Sequence, residues 1–184
     1  MIETIFLDLD GVCCDFISAS LKRINREDLI NNWPIGKYNL EEATNISYTE
    51  IWKKIDELGS DFWRNLEEYP WFVGMYNELT KIGKVIFCSG PSLCPNSLKG
   101  KLEWLQDRFG KEFRDYILTS KKFYLATEKS VLIDDSDENC SSFILNGGKS
   151  ILFPQKWNKN FVMTNRAVEH TFENLSKFGL TLKG

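Results

Sequence analysis

The first residues in the chain that could do chemistry are two carboxylates, Asp8 and Asp10, which follow the apolar run at residues 5–7. Side chains alternate along a strand, so a strand through this stretch would place both carboxylates on one face. Gly11 then breaks the run, and open parallel sheets bind ligands at the carboxyl ends of their strands. Two neighbouring carboxylates repel each other unless a positive charge lies between them. The pattern therefore predicts a divalent metal ion with oxygen ligands.

Three later apolar runs also end in polar side chains. They are followed by a hydroxyl and a glycine (Ser89, Gly90), by adjacent lysines (Lys121, Lys122) and by adjacent acids (Asp134, Asp135). If these ends converge, Asp8, Asp10 and Asp135 surround a cation. A hydroxyl with flexible backbone beside it, together with an ammonium group, would then hold a phosphoryl group.

The elements that must position these residues alternate between strand and helix. Short apolar runs at 85–87, 116–118, 131–133 and 151–153 predict strands, and helical spacing predicts helices between them, with stops at Gly83 and Gly110. A C-terminal helix is predicted to begin near Thr164. Strands separated by helices are typical of a parallel, Rossmann-like α/β sheet.

Residues 25–66 differ from this pattern, because they are rich in Asn, Glu and aromatic side chains and carry no strong strand signal. Within them, Ser47 and Glu50 form a capping box ahead of a helix that Gly59 would stop. We predict a core at residues 1–24 and 67–184 and a small helical insertion at residues 25–66.

Composition limits the class of protein. The 184 residues are 42% hydrophobic and 14% aromatic, which is enough for one core and a small accessory lobe. The 23 basic and 26 acidic residues give a formal charge of −3, so we expect no stable binding to nucleic acid or to an anionic membrane. With no long apolar run or cleavable signal in the sequence, we predict a soluble cytoplasmic protein. Five cysteines without a CxxC pair indicate reduced, packed thiols.

These motifs together resemble the haloacid dehalogenase (HAD) superfamily of phosphatases, and within it the 5′(3′)-deoxyribonucleotidase group. The resemblance is carried by DLDGV and the following CCDF, by FCSGP, by KGKLEWLQDRFG, by YILTSKK and by VLIDDSDEN, in that order. It spans nearly the whole predicted core and is thin in the insertion. The implied fold is a HAD core with a small helical cap inserted after the first strand.

The resemblance also implies roles for the strand-end residues. Asp8 would be the nucleophile that forms an aspartyl-phosphate, and Asp10 would be the general acid and base. Mg²⁺ would be bound by Asp8, by the backbone carbonyl of Asp10 and by Asp135. Ser89 and Lys122 would hold the non-bridging phosphate oxygens. Asp135 is preferred to Asp134, and Lys122 to Lys121, from their places in the family motifs and in the strand.

The implied substrate is a small phosphomonoester, most simply a nucleoside monophosphate, selected by the insertion. Phe16, Phe62 and Trp63 could stack on a nucleobase, or could be core. Gly90 and Lys101 could contact the substrate phosphate, although Lys101 could also be a solvated helix charge. A homodimer is compatible with the sequence.

Two other functions are compatible with parts of the pattern. A HAD phosphatase could act on another small phosphate ester or on a polynucleotide end, although the chain lacks a basic patch. A phospho-receiver signalling domain also uses acids, a hydroxyl and a lysine around Mg²⁺. Receivers, however, place their acidic pair on the first strand and the phosphorylated Asp on a later one. Asp15 and Asp137 could cap helices, and His170 has no sequence partner.

Overall fold

Five apolar runs form the central sheet in the computed structural model, which describes residues 2–181. Within this range the strands are β1 (Thr4–Leu7), β2 (Lys84–Ser89), β3 (Tyr116–Leu118), β4 (Ser130–Asp134) and β5 (Lys149–Leu152). All pairs are parallel, in the order β3-β2-β1-β4-β5. The predicted parallel α/β sheet is confirmed.

Strand β1 lies at the centre of the sheet, and its register sets where the site forms. Leu7 is paired with Phe87 of β2 on one side and with Ile133 of β4 on the other. The residues that follow these three positions therefore lie at the same level of the sheet, close to the carboxyl ends of the strands. β4 is buried along its whole length, as expected for a strand covered on both faces.

Helices connect the strands and cover the sheet. Within the described range they are α1 (Phe16–Arg23), α2 (Asp28–Asn31), α3 (Leu40–Thr44), α4 (Tyr48–Asp56), α5 (Ser60–Arg64), α6 (Phe72–Ile82), α7 (Pro95–Phe109), α8 (Asp137–Leu145) and α9 (Ala167–Lys177). Two short 3₁₀ helices span Lys122–Leu125 and Phe161–Arg166. The 3₁₀ turn at Phe161–Arg166 covers the position near Thr164 where the last helix was predicted to begin.

Capping side chains explain two of the helix starts. The Ser47 hydroxyl accepts a hydrogen bond from the backbone N–H of Glu50 at 3.3 Å, which confirms the predicted cap of α4. Asp15 accepts from the N–H of Ser18 at 2.9 Å and so caps α1. Helices α6 and α7 end at Gly83 and Gly110, as predicted.

Residues 25–66 contain α2 to α5 and no strand, as predicted, and the last of these helices packs tightly on the core. A Cβ added to Gly100 of α7 would lie 2.3 Å from the carbonyl oxygen of Ser60 and 2.5 Å from Cβ of Trp63. Glycine at this position therefore allows α5 to approach the backbone of α7. The division into a core (1–24 and 67–184) and a cap (25–66) remains a prediction.

This close approach leads to a stability prediction. Gly100→Ala is expected to lower the free energy of unfolding by about 3 kcal/mol, because the methyl group must displace backbone and not a flexible side chain. Gly74→Ala in α6 is the matched control, since no heavy atom lies within 4 Å of its added Cβ. We expect this control to raise stability by about 0.5 kcal/mol. Urea unfolding of both variants measures the difference, and equal effects would contradict the packing described here.

Candidate active site

Three carboxylates gather at the carboxyl ends of β1 and β4. The N–H of Asp8 donates to the carbonyl oxygen of Ile133 at 3.0 Å, which extends the pairing of the two strands by one residue. Carboxylate oxygens of Asp8, Asp134 and Asp135 lie within 4.8 Å of one another, and all three residues are buried. The sequence predicted Asp8, Asp10 and Asp135 around a cation, so this cluster contains two of the three predicted acids, with Asp134 in place of Asp10.

Asp10 lies in a tight turn and not on the strand. β1 ends at Leu7, and the carbonyl oxygen of Leu9 accepts N–H groups from the next turn, including that of Cys13 at 2.8 Å. The expectation that Asp8 and Asp10 share a strand face is therefore wrong. Both nevertheless line one cavity, because the turn at Gly11 folds the chain back.

No residue with a side chain fits in place of Gly11 at this turn. Its φ is +75°, and an added Cβ would lie 2.2 Å from Oδ2 of Asp135. The backbone of the turn thus packs directly against the carboxylate of Asp135, which follows β4. This contact fixes the spacing between the loop after β1 and the loop after β4.

Of the two adjacent lysines, the structure brings Lys122 to the acids. Its Nζ is buried and lies 2.8 Å from Oδ1 of Asp8 and 2.6 Å from Oδ2 of Asp134. Lys121 is exposed at the start of the 3₁₀ turn. The geometry therefore favours Lys122, as its spacing from the strand residues Ile117 and Leu118 suggested.

Asp134 and Asp135 have different surroundings. Asp134 accepts from Lys122, from the N–H of Ser136 at 2.9 Å and from Nδ2 of Asn139 at 3.1 Å. Asp135 instead lines the cavity, and its Oδ2 accepts from the indole N–H of Trp157 at 2.6 Å. Asp134 is thus committed to protein donors, and Asp135 is the member of the pair that can face a bound cation.

The loop after β5 supports this site, and sequence reasoning missed it. Besides Trp157, Asn158 donates to the carbonyl oxygen of Asp135 at 2.9 Å, and the Gln155 amide donates to the carbonyl oxygen of Gly11. These buried hydrogen bonds join the two acidic loops from behind. The only sequence signal was a polar, aromatic stretch directly after the last apolar run, which carries no charge pattern of its own.

The charges in the acidic cluster favour binding of a cation in addition to the Lys122 ammonium. Burial, opposed by Lys122, raises the pKa of Asp8 to about 7, and burial with the charge of Asp134 raises the pKa of Asp135 well above its ordinary value. Burial lowers the pKa of Lys122, but Asp134 and Asp8 more than offset this and raise it overall. Three buried carboxylates share one ammonium, so the donor set suits a divalent ion with hard oxygen ligands.

A second buried lysine occupies the other side of the site. Lys101 of α7 is 1% exposed, and its Nζ contacts the Asp10 carboxylate, Oγ of Ser89 at 2.7 Å and the carbonyl oxygen of Gly90 at 2.7 Å. It is therefore not the solvated helix charge that the sequence allowed. Nor does it reach the phosphate site freely, because protein acceptors take all three of its N–H donors.

The acids form the floor of a cavity of about 420 Å³, a size typical of small-molecule sites. Its walls are mainly aromatic side chains from α1 and from residues 25–66: Phe16, Tyr38, Tyr48, Trp52 and Trp63. Gly90 and Leu93 lie on the β2 side of the opening. One face of the cavity is thus charged, and the other is apolar.

Phe16, Trp52 and Trp63 form a stacked cluster in the wall. The Phe16 and Trp63 ring centroids are 5.4 Å apart with planes 11° from parallel, and those of Trp52 and Trp63 are 6.2 Å apart at 18°. Tyr48 and Trp52 share one face of α4 because they are four residues apart, a signal that the sequence contained but that was not used. Tyr38 lies in an irregular loop, where no periodic signal existed.

Phe62 does not join this cavity. Its ring is nearly perpendicular to that of Trp63 and lines a separate groove beside Asp15 and Asn65. Adjacent residues on a short helix point in different directions, so only one of Phe62 and Trp63 can face the acids. The predicted substrate contact of Phe62 does not fit this geometry.

The remaining polar candidates have structural positions. Ser136 accepts from the N–H of Asn139 at 3.2 Å and is the cap of α8, so the prediction that Asp137 caps this helix is wrong by one residue. His170 lies beside Asn160 and Asn174 in α9. Neither Asp137 nor His170 lines the cavity.

Comparison with known proteins assigns this site to a family. The family model described as 5′ nucleotidase, deoxy (Pyrimidine), cytosolic type C protein matches residues 1–176. The chain belongs to this nucleotidase family. The 5′(3′)-deoxyribonucleotidase of Bacillus subtilis (strain 168) is 30% identical to this nucleotidase over 163 residues, which are 87% of this chain and 90% of that protein.

Solved structures agree on the fold. A haloacid dehalogenase-like family hydrolase from Streptococcus pneumoniae matches with a TM-score of 0.59 at 13% identity, covering 96% of this chain and 98% of that one. A haloacid dehalogenase-like hydrolase from Xanthomonas campestris matches with a TM-score of 0.56 at 15% identity, covering 96% and 94%. The predicted HAD-type α/β fold is confirmed.

The protein is thus an enzyme of the nucleotidase family with a HAD-type fold, and the receiver-domain alternative is wrong. Its strand order also differs from the 2-1-3-4-5 order of flavodoxin-like receiver domains. None of the helices within residues 2–181 combines the length and apolar character needed to cross a bilayer.

Proposed function

We propose that the enzyme is a Mg²⁺-dependent 5′(3′)-deoxyribonucleotidase that hydrolyses nucleoside monophosphates through an aspartyl-phosphate on Asp8. The observation that carries the proposal is the cavity itself, in which Asp8, Lys122 and Asp135 lie opposite an aromatic wall. The Bacillus subtilis relative is a 5′(3′)-deoxyribonucleotidase, which supports the same substrate class.

In the first half of the reaction, an Asp8 carboxylate oxygen attacks phosphorus. The Asp8–phosphorus bond forms as the bond from phosphorus to the nucleoside oxygen breaks, and Asp10 donates a proton to that leaving oxygen. In the second half, water attacks the aspartyl-phosphate and gives its proton to Asp10. Inorganic phosphate leaves, and both carboxyl groups return to their starting states.

Lys122 and Ser89 would stabilise the charge on the phosphoryl oxygens. Lys122 is already within 2.8 Å of Asp8, so its ammonium is fixed beside the attacking oxygen without further movement. Ser89 ends β2 one strand away, where its buried hydroxyl contacts Lys101, and Gly90 beside it lines the cavity, where its backbone N–H can bind an anion.

Mg²⁺ would be held by the carboxylates of Asp8 and Asp135 and by the backbone carbonyl of Asp10. When bound, the ion would neutralise the excess negative charge of the cluster and of the phosphate. Burial raises the pKa of both Asp8 and Asp135, and a bound cation would favour their charged forms, which supports this assignment.

The aromatic wall would bind the base of the substrate. Phe16, Tyr38 and Trp52 offer ring surface in the cavity wall, and Trp63, which is 2% exposed, packs behind the rings of Phe16 and Trp52. Base stacking on an aromatic ring contributes about 1–3 kcal/mol. The predicted cytoplasmic location and homodimer remain predictions.

A substrate panel tests the proposal. Phosphate release is measured for ribo- and deoxyribonucleoside 5′- and 3′-monophosphates, for sugar phosphates and for a 5′-phosphorylated oligonucleotide, each with Mg²⁺ and with a chelator. We expect nucleoside monophosphates to give the highest kcat/KM, with activity lost in chelator and restored by Mg²⁺. Preference for a sugar phosphate or for the oligonucleotide would overturn the assigned substrate class.

The orientation of two neighbouring aromatics gives a second prediction. Trp63→Ala is expected to lower kcat/KM for nucleoside monophosphates by roughly 10-fold or more, because the wall rings Phe16 and Trp52 lose the ring on which they stack. A small ester such as glycerol phosphate should be affected much less. Phe62→Ala is the control, since this ring faces a different groove. Equal losses on both substrates for Trp63→Ala, or equal behaviour of the two variants, would count against base stacking.

A further inference from the structure

The ammonium group of Lys101 is buried where the catalytic floor meets the aromatic wall. The side chain is 2% exposed, whereas that of its partner Asp10 is 25% exposed. A lysine is rarely this buried unless its charge and its donors are satisfied. The three acceptors around Nζ are the Asp10 carboxylate, Ser89 and the carbonyl oxygen of Gly90, which is a complete set for an ammonium.

Ser89 and Gly90 fix the position of the lysine ammonium, and the ammonium in turn fixes the third acceptor, the Asp10 carboxylate. Ser89 and Gly90 are fixed by their position at the end of β2. Asp10 is not fixed in this way, because it lies in the turn beyond β1 and its other oxygen, Oδ1, contacts only the Cys14 thiol, at 3.7 Å, among the hydrogen bonds within residues 2–181. The well-fixed ammonium of Lys101 therefore restrains the carboxylate of Asp10, which has fewer contacts of its own.

Packing keeps the anchor in place. Lys101 Nζ lies 5.0 Å from the centre of the Trp63 ring, and the neighbouring Gly100 lets α5 press against α7. The lysine thus has the ring of the substrate wall on one side and the acid on the other. Its side chain is therefore packed within the protein, with 2% of its surface exposed.

We propose that Lys101 is a positioning residue that holds the Asp10 carboxylate in the orientation needed for proton transfer. This inference rests on the proposed function, in which Asp10 protonates the leaving oxygen. Lys101 itself transfers no proton and contacts no substrate. By holding Oδ2 of Asp10, it fixes the carboxylate at its place in the cavity lining. A misplacement of about 1 Å at such a group can cost about 100-fold in rate.

The leaving group separates this role from a merely structural one. A nucleoside oxygen needs a proton as it departs, whereas p-nitrophenolate does not. In the first turnover, measured by rapid quench, Lys101→Met is expected to slow nucleoside release about 100-fold. Release of p-nitrophenolate from p-nitrophenyl phosphate should change less than about threefold, as should KM for the nucleotide.

Lys99→Met is the matched control, because Lys99 is on the same helix with its side chain 65% exposed. It should match the wild type on both substrates. Equal slowing of both leaving groups by Lys101→Met would show a structural role and overturn the proposal. So would an unchanged rate of nucleoside release.

A double variant keeps the test decisive if Lys101→Met does not fold. Asp10→Asn with Lys101→Met removes both buried charges together, so it avoids an unpaired carboxylate. If Lys101 acts through Asp10, the double variant should release nucleoside within about threefold of Asp10→Asn alone. A further large loss would overturn the proposal. A wild-type enzyme that forms no phosphoenzyme on p-nitrophenyl phosphate would instead refute the proposed function.

Discussion

Asp8→Asn is expected to lower kcat by on the order of 10⁴-fold or more, while the protein still folds. An amide cannot attack phosphorus, so the covalent route is lost. Folding is preserved because the amide oxygen can still accept from Lys122 and from the N–H of Leu9, at the places of bonds that are now 2.8 Å long. Asp134 continues to pair with Lys122. Phosphate release and circular dichroism measure the two effects.

Asp15→Asn is the control for this loss. Asp15 caps α1 and lies outside the catalytic cavity, and asparagine is also a good helix cap. Its activity should stay near that of the wild type. Asp8→Asn retaining more than about 1% of kcat would reject Asp8 as the nucleophile.

The same Asp8→Asn variant should change the pH dependence of stability in chelator. The pKa of Asp8 is raised by burial from 3.8 to about 7, so between these values the folded protein holds a proton that the unfolded chain releases. Unfolding therefore becomes easier as pH rises through this window. Asparagine does not titrate. The free energy of unfolding of the variant, relative to that of the wild type, should therefore rise from pH 4 to about pH 7 and then level off. Urea unfolding at each pH would contradict this if the difference stayed constant.

Lys122→Met is expected to have the largest effect on stability, a loss of about 3–5 kcal/mol at neutral pH. The substitution leaves the buried carboxylates of Asp8 and Asp134 without their shared cation, at positions now 2.8 and 2.6 Å from Nζ. The rate of phosphate release should also fall in this variant, since the Lys122 ammonium lies beside the attacking oxygen of Asp8. Chemical denaturation and steady-state kinetics measure both losses.

The adjacent lysine provides the comparison for Lys122→Met. Lys121 is exposed, so Lys121→Met should change the free energy of unfolding by less than about 0.5 kcal/mol and leave kcat near the wild-type value. If the two variants behaved alike, the buried ion pair would not be the source of the stability that we assign to Lys122.

Much of the fold was predictable because it depends on local patterns. Short apolar runs became the strands, and glycines ended α6 and α7 where the spacing indicated. The strand-end residues could also be predicted to meet, since parallel strands in one sheet bring their carboxyl ends to the same edge. This rule does not require knowledge of any particular contact.

The predictions about the site were wrong where the local sequence does not determine which way a side chain points. Phe62 and Trp63 are neighbours of the same chemical type, and only the packing of α5 on α7 turns one into the cavity and the other away. Lys101 could have been an ordinary exposed lysine on a helix. Its burial depends on Asp10 and Ser89, which are 91 and 12 residues away along the chain.

By itself, the sequence determined the parallel α/β sheet, the order of the acidic, hydroxyl and lysine motifs, and the edge of the sheet at which they meet. The tertiary structure decided which of two lysines pairs with Asp8, which of two acids faces the cavity, and that the loop around Trp157 supports the site from behind. The physical reason is the range of the interactions. Strand and helix signals act over a few residues, whereas burial, charge pairing and ring orientation depend on segments that folding brings together.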